Sequence, residues 1–333
     1  MLKRLAHKAR EKIRSARTDL RRAVLRKPSS VLLETTNNCN LNCPYCMVGQ
    51  QNQWIAAHGS VSHDLMTRPA GVMTPETFAV VRKSLLDFGI LNVYLHFQGE
   101  PMLNRNAPDF ARQLKKDGLK VQMFTNGLAF TDKSLQAMVD AGIDLIRFSV
   151  DGASEETYQA NRVGGVFKKV HENMGKAVQA AKGTKTRVEW QFLPMRNNEH
   201  EVEAATAMAK ALGINFFAKG FRVTDPERAP LQEKYRCGML KKPCTDVYYQ
   251  LGIYWNGDVV PCCYDNNAEE VMGNILAKPL RAIWDSPKYS TFRRHVDEFE
   301  KNPAAEPALC KSCLRWDSTG TAPTKAERQE IGL

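Results

Sequence analysis

From Ser30 onward, short apolar runs alternate with longer stretches in which apolar residues recur every three to four positions. The first pattern reads as buried strand and the second as amphipathic helix. Strand-like runs fall at 31–33, 91–97, 119–124, 143–150, 187–193 and 214–218. Between them, Thr74-Pro75 opens a helix as N-cap and first helical residue, and Gly89 closes it. Further helices are expected at 107–117, at 132–141 up to Gly142, at 166–182, and at 199–212 up to Gly213. Six such alternations imply an α/β chain with a parallel sheet covered by helices. The period alone leaves open whether the sheet curls into a partial barrel or stays flat.

Three segments depart from this rhythm. Residues 47–73 are too long for an ordinary strand-to-helix loop and carry Trp54, His58 and His63, so they either cover a site or form a surface insertion. After residue 220 the alternation stops. Residues 248–254 and 258–261 flank Asn256-Gly257, the favoured two-residue hairpin turn, and short helices are expected at 279–284 and 288–296. Residues 1–27 read as a helix with a thin apolar stripe that includes Leu5, Ile13 and Leu20. The expected divisions are a basic helix (1–28), the strand–helix domain (29–234) and a smaller domain (235–333).

Charge changes the picture only at the N-terminus. Residues 1–27 hold eleven Lys and Arg against Glu11 and Asp19, so most of the net +11 sits there and the rest is nearly neutral. That segment either packs on the main domain or touches an anionic surface; nucleic acid is not the expected partner. Hydrophobic content of 43% and charged content of 25% are those of a globular chain. No run of about 18 apolar residues exists for a membrane span, and no signal-peptide core precedes Ser30, so a cytoplasmic setting is expected. In a reducing compartment, nine cysteines point to metal ligation before disulfides.

The candidate chemistry starts at Cys39-x₃-Cys43-x₂-Cys46, three soft thiolates within eight residues. A closed structural site takes four protein ligands, whereas three leave one position open for chemistry. In parallel strand–helix folds, binding groups gather at the carboxyl ends of strands. Here those ends hold the cysteines, Gln98-Gly99-Glu100-Pro101, Thr125-Asn126-Gly127, Ser149 to Gly152, Gln191 with Leu193-Pro194, and Lys219 with Arg222. A second set, Cys244, Cys262, Cys310 and Cys313, supplies four thiolates and suits a structural zinc or a fully ligated cluster. Cys237 and Cys263 are left over.

The three-cysteine spacing, with Tyr45 just before the last cysteine, resembles the signature of the radical S-adenosylmethionine (radical SAM) enzymes. Gln98–Pro101 resembles that family's GGEP segment, with Gln for the first Gly; Asn126, the Ser149–Asp151 turn and Arg162 match positions that hold S-adenosylmethionine. The resemblance implies a partial (β/α)6 TIM-like barrel and a [4Fe–4S] cluster on Cys39, Cys43 and Cys46 whose open iron takes S-adenosylmethionine. It also implies a flavodoxin- or ferredoxin-type electron donor. The later cysteines resemble a SPASM/Twitch extension, which implies one auxiliary [4Fe–4S] cluster on Cys244, Cys262, Cys310 and Cys313 in a small C-terminal domain with a β-hairpin.

The function so implied is hydrogen abstraction from a polar small molecule, such as a sugar or aminocyclitol. Oxidation of an alcohol to a ketone follows, with the auxiliary cluster taking the electron. An epimerase using Cys263 as hydrogen donor, a peptide- or RNA-modifying enzyme, and a zinc-bound nucleic-acid-binding protein remain alternatives. The simplest reading of Cys263 is a small buried hydrophobe.

Overall fold

The structure is a computed structural model and describes residues 28–220, 227–236, 244, 246–298 and 307–311. The basic segment 1–27, Arg222, Cys237 and Cys313 lie outside the described residues. Strands β1 (Ser30–Leu33), β2 (Asn92–Tyr94), β3 (Lys120–Thr125), β4 (Leu145–Ser149), β5 (Arg187–Phe192) and β6 (Asn215–Ala218) pair in sequence order, all parallel. Each fits inside or nearly inside an expected strand run. The helices between them are α1 (Met47–His58), α2 (Pro75–Phe88), α3 (Ala107–Lys116), α4 (Asp132–Asp140), α5 (Glu155–Asn161), α6 (Phe167–Ala181) and α7 (Val202–Leu212).

Strand alternation gives the sheet two chemically different faces. Val31, Leu33, Val93, Val121, Met123, Ile146 and Phe148 are fully buried in the core that the helices cover. Phe78 of α2 stacks on Phe110 of α3 with ring centroids 3.9 Å apart. Burying such side chains stabilises the fold by about 1.5–3 kcal/mol each. The alternate residues, among them Tyr94, His96, Gln122, Arg147, Glu189 and Gln191, face the inside of the curve. The result is an unclosed barrel with an apolar jacket and a polar lumen. Local signals begin and end the helices as expected: Thr74 accepts from Thr77 N at 3.2 Å, and Gly89 stops α2 at φ 80°.

The chain beyond residue 235, expected as a second domain, continues the same sheet. After α8 (Asp246–Tyr249), β7 (Gln250–Ile253) pairs parallel with β1 along the edge that β2 does not use. β8 (Asp258–Val260) turns back antiparallel through Asn256-Gly257, the expected hairpin, and β9 (Gly273–Asn274) adds one more strand. The full order is β6-β5-β4-β3-β2-β1-β7-β8-β9. The helices α9 (Leu280–Trp284), α10 (Pro287–Glu298) and α11 (Ala308–Lys311) follow.

The long segment 47–73 needs correction, because its first half is the helix α1 and not loop. Its buried residues are Val48, Gly49 and Gln51, so it has no apolar stripe for periodicity to find. The remainder is pinned by a bridge between Thr36 and Val72 and by Asn37 Nδ2 donating to Pro69 O at 2.9 Å. Among the described residues no helix is long and apolar enough to cross a membrane.

Candidate active site

β1 runs directly into the cysteine loop, and Cys46, in extended conformation, is the N-cap of α1. Gly49 lets the helix close on that loop, since a Cβ there would overlap both Cys43 N and Cys43 O. Cys43 is buried, and Cys39 and Cys46 are half-buried. Burial pushes the Cys39 thiol up to about 12, with Glu100, Cys46 and Cys43 adding to it. Burial also raises the Cys43 thiol, against the pull of Arg162.

Two nitrogen donors reach these sulfurs. Asn126 Nδ2 lies 3.9 Å from Cys39 Sγ, and Arg162 Nη1 lies 3.8 Å from Cys43 Sγ. Both belong to residues matched by sequence, and both are fixed by neighbours. Asn126 Nδ2 also donates to Asn40 Oδ1 at 2.8 Å, and Leu128 N donates to Asn126 Oδ1 at 2.9 Å. Arg162 Nε donates to Asp151 Oδ2 at 2.7 Å. Asp151 is fully buried and also accepts from Tyr45 OH at 2.6 Å and Leu193 N at 2.7 Å.

The Gln98–Pro101 segment sits on the same loop. Gly99 has φ +74°, and a Cβ would lie 2.6 Å from Asn38 O and Thr36 O, so glycine is required by both conformation and space. Glu100 is buried and accepts from Thr125 Oγ1, Asn126 N and Met102 N at 2.7, 2.7 and 3.1 Å. Its carboxylate therefore ties the segment after β2 to the end of β3, with one donor on Oε2 and two on Oε1; burial raises its pKa despite those donors. Ser149 ends β4 on the lumen side, opposite Gln191. A surface cleft of about 480 Å³ between α6 and β6 lies at the opposite, amino ends of β5 and β6, away from this chemistry.

Sequence reasoning passed over several residues here. Gln98 Nε2 bonds Asn266 Oδ1, Asn266 Nδ2 lies 3.4 Å from Met47 Sδ, and Arg68 Nε donates to Asn266 O at 2.8 Å. Arg68 also makes a two-pronged pair with buried Glu34, at 2.8 and 2.7 Å, and lies over the Tyr254 ring. The segment just after Cys262-Cys263 is thereby docked on the barrel mouth. Tyr45 was named as part of the cysteine motif, but its partner Asp151 is 106 residues away and left no local signal. His96 was hidden inside an apolar strand run.

The second cysteine set is described at Cys244, Cys262 and Cys310. Cys310, on α11, is buried in the main hydrophobic core, and Cys244 and Cys262 are half-buried against it. Cys263 is half-buried.

The donor chemistry fits an iron–sulfur cluster on the first loop. Three thiols lie within eight residues, burial disfavours the anionic form of Cys39 and Cys43 when no cation is bound, and N–H groups approach two of the sulfurs as outer-sphere partners do. Among the described residues, no three His, Cys, Asp or Glu side chains converge on one point as a mononuclear ion requires; a four-iron cluster asks each thiolate for a separate iron.

An unclosed parallel barrel with three thiols in the loop after β1 and polar residues at the following strand ends defines a cluster-dependent barrel enzyme. The family model of the radical SAM superfamily matches residues 33–205, just over half of the chain. The chain belongs to that superfamily. A model of an iron–sulfur cluster-binding domain, SPASM, matches residues 244–314. The cofactors are accordingly a [4Fe–4S] cluster that binds S-adenosylmethionine and auxiliary iron–sulfur chemistry in the C-terminal region.

The chain is 29% identical over 335 aligned positions to PqqA peptide cyclase of Rhizobium meliloti, covering 86% of this chain and 80% of that one. It is 27% identical over 203 residues to a probable GTP 3′,8-cyclase of Methanococcus maripaludis, covering 61% of this chain and 62% of the cyclase. The match thus spans less than two-thirds of the cyclase's length. Among solved structures, BtrN in complex with AdoMet and 2-DOIA shares the fold, with TM-score 0.54 and 21% identity over 86% of this chain and 93% of that chain.

Proposed function

We propose that the chain is a radical SAM oxidoreductase that converts an alcohol of a polar small molecule, a sugar or aminocyclitol, to a ketone. The observation that carries this reading is the opening of the Cys39, Cys43 and Cys46 loop onto a lumen lined with polar side chains. With the cluster and S-adenosylmethionine bound, the site supplies a 5′-deoxyadenosyl radical that abstracts hydrogen from an unactivated C–H bond.

The protein's own part is placement and exclusion. Cys39, Cys43 and Cys46 are the ligands, with Asn126 and Arg162 donating toward two of the sulfurs. Gly99 brings the Gln98–Pro101 backbone against the loop, where that segment would hold the amino group of S-adenosylmethionine. Ser149 and Asn126 would hold its remaining polar groups. Glu100 and Asp151, each held by several protein donors, act as positioning residues. The strap pinned at Arg68, Pro69 and Val72 beside the loop after β1 would help exclude water from the site. Cys244, Cys262, Cys310 and Cys313 hold the auxiliary cluster, and the docking of Asn266 on Gln98 ties that region to the mouth as an electron exit.

A peptide substrate is the second reading, favoured by similarity along most of PqqA peptide cyclase. Epimerisation through Cys263 draws on the same docked segment, which begins beside that thiol. Anaerobic reconstitution with reductant and S-adenosylmethionine, followed by assay for 5′-deoxyadenosine and for ketone formation from candidate polyols, tests the proposal. A colourless, zinc-loaded protein that forms no 5′-deoxyadenosine overturns it. Solvent deuterium in the product carbon, lost in Cys263→Ala, selects epimerisation instead.

A further inference from the structure

Along one wall of the lumen, planar groups from β3, β4 and the segment just after β2 form a stack. The His96 and Phe124 rings lie 4.1 Å apart and nearly parallel at 8°. The Arg147 guanidinium carbon lies 4.6 Å from the Phe124 centroid, and its Nε and Nη2 donate to Glu189 Oε2 at 3.0 and 2.8 Å. One pleat nearer the thiol loop, Ser149 and Gln191 face each other across β4 and β5. This wall contains two buried atoms with no hydrogen-bond partner among the described residues, His96 Nδ1 and Gln191 Oε1. Native interiors satisfy nearly all such atoms, and exceptions call for a ligand, a water or a functional role.

We propose that His96 and Gln191 are the substrate-recognition residues of the lumen, and that they select a hydroxyl-bearing ring of the polyol or sugar class. The inference rests on the radical-enzyme reading of the barrel and names what that site accepts. A carboxylate or phosphate oxygen has no proton to give the Gln191 carbonyl oxygen. An ammonium group donates but has no lone pair for an imidazole N–H. A hydroxyl donates and accepts, so it satisfies His96 in either tautomer and the Gln191 amide in either orientation.

The imidazole enters this contact uncharged. Burial, with Lys219 and Arg147 nearby, lowers its pKa to about 3. Arg147 is held by Glu189, a carboxylate that Arg187 shares, so the guanidinium is fixed against the Phe124 ring as part of the wall.

The test uses the full chain, anaerobically reconstituted and saturated with S-adenosylmethionine. It is titrated calorimetrically with myo-inositol and D-glucose, and with cyclohexanecarboxylate as an anionic ring lacking hydroxyls. The expected result is saturable binding of at least one polyol and none of the carboxylate. His96→Phe and Gln191→Leu should each weaken polyol binding by about tenfold, as one lost hydrogen bond to a buried group implies. His96→Asn, which keeps a polar atom near the Nδ1 position, should restore part of the loss. Iron content and S-adenosylmethionine affinity show whether each variant folds, and a variant that does not is replaced by His96→Gln or Gln191→Met.

No polyol binding by the parent protein, a preference for the carboxylate, or equal affinity in parent and variants overturns the inference. If the polyols bind as expected but reduced enzyme forms no 5′-deoxyadenosine, the radical reading fails while the hydroxyl site stands.

Discussion

Arg162 Nε donates to Asp151 Oδ2 at 2.7 Å, while Nη1 of the same guanidinium lies 3.8 Å from Cys43 Sγ. A fully buried carboxylate at the end of β4 thus fixes a positive charge beside the thiol loop that follows β1. Tyr45, inside that loop, bonds the same carboxylate oxygen and closes the connection from the other side.

Breaking this connection should cost stability and cofactor binding together. Asp151→Asn leaves the largely buried Arg162 without its counter-charge, a loss of about 3–5 kcal/mol for a buried pair. Chemical denaturation should show a shift of that order, whereas Tyr45→Phe removes one hydrogen bond and should cost about 1 kcal/mol. Arg162→Lys keeps the charge but loses the fork that spans Asp151 and Cys43, so S-adenosylmethionine affinity should fall while iron is retained. Equal stability of Asp151→Asn and the parent protein would show that the pair is not buried as described.

Gly99→Ala should be among the most damaging single-methyl additions in the barrel. The new Cβ meets two carbonyl oxygens at 2.6 Å in a left-handed backbone conformation, and neither carbonyl is the end of a flexible side chain. Strain of this kind costs about 1–3 kcal/mol before the clash is counted. Thermal unfolding should report a lowered Tm, and iron incorporation should drop because Asn38 and Cys39 must move. Gly118→Ala makes a control for conformation alone, since φ is +82° there and no atom lies within 4 Å of the added carbon.

Glu201 gives a pH-dependent prediction outside the site. Burial opposes its charge, but donation from Ala153 N and from the Ser154 and Thr157 hydroxyls outweighs that and holds the carboxyl below the ordinary 4.5. A lowered folded pKa contributes stability that is present above 4.5 and lost as pH falls below it. The stability advantage of the parent protein over Glu201→Gln should therefore be full at pH 6 and shrink below pH 4.5. An advantage that grows on acidification would reverse the assignment.

His96 titrates in the same direction by a different cause. Its folded pKa of about 3 lies below the ordinary 6.5 because burial and the neighbouring Lys219 and Arg147 disfavour the imidazolium. As pH falls from 6.5 toward 3, the unfolded chain takes up a proton that the folded protein refuses, and stability declines. His96→Phe should lose less stability over that range than the parent protein, and paired denaturation curves at pH 7 and pH 4.5 measure the difference.

The six parallel strands and their helices were legible because strand and helix periods survive in local sequence. The three-cysteine loop was legible because its ligands lie within eight residues. α1 was not, because Gly49 and Gln51 occupy its buried face where a stripe would hold leucine or valine. The attachment of β7 to β1 was not, because pairing across 220 residues leaves no local period. The strand-end rule located Asn126, Ser149 and Gln191. It did not reveal that Asp151 and Glu100 are engaged by protein donors, or that the 59–73 strap is bolted to Asn266 by Arg68. His96 needed the structure, since a histidine in an apolar strand looks the same whether or not its ring nitrogen has a partner.

The central claim is that Cys39, Cys43 and Cys46 hold the cluster at which S-adenosylmethionine is cleaved. The most direct measurement compares the parent protein with the Cys39→Ala, Cys43→Ala, Cys46→Ala triple variant, both reconstituted anaerobically and assayed for iron content and for 5′-deoxyadenosine. The account predicts that the triple variant loses about four irons per chain, keeps those of the C-terminal cysteines, and forms no 5′-deoxyadenosine. Undiminished iron and continued cleavage of S-adenosylmethionine in the triple variant would contradict it.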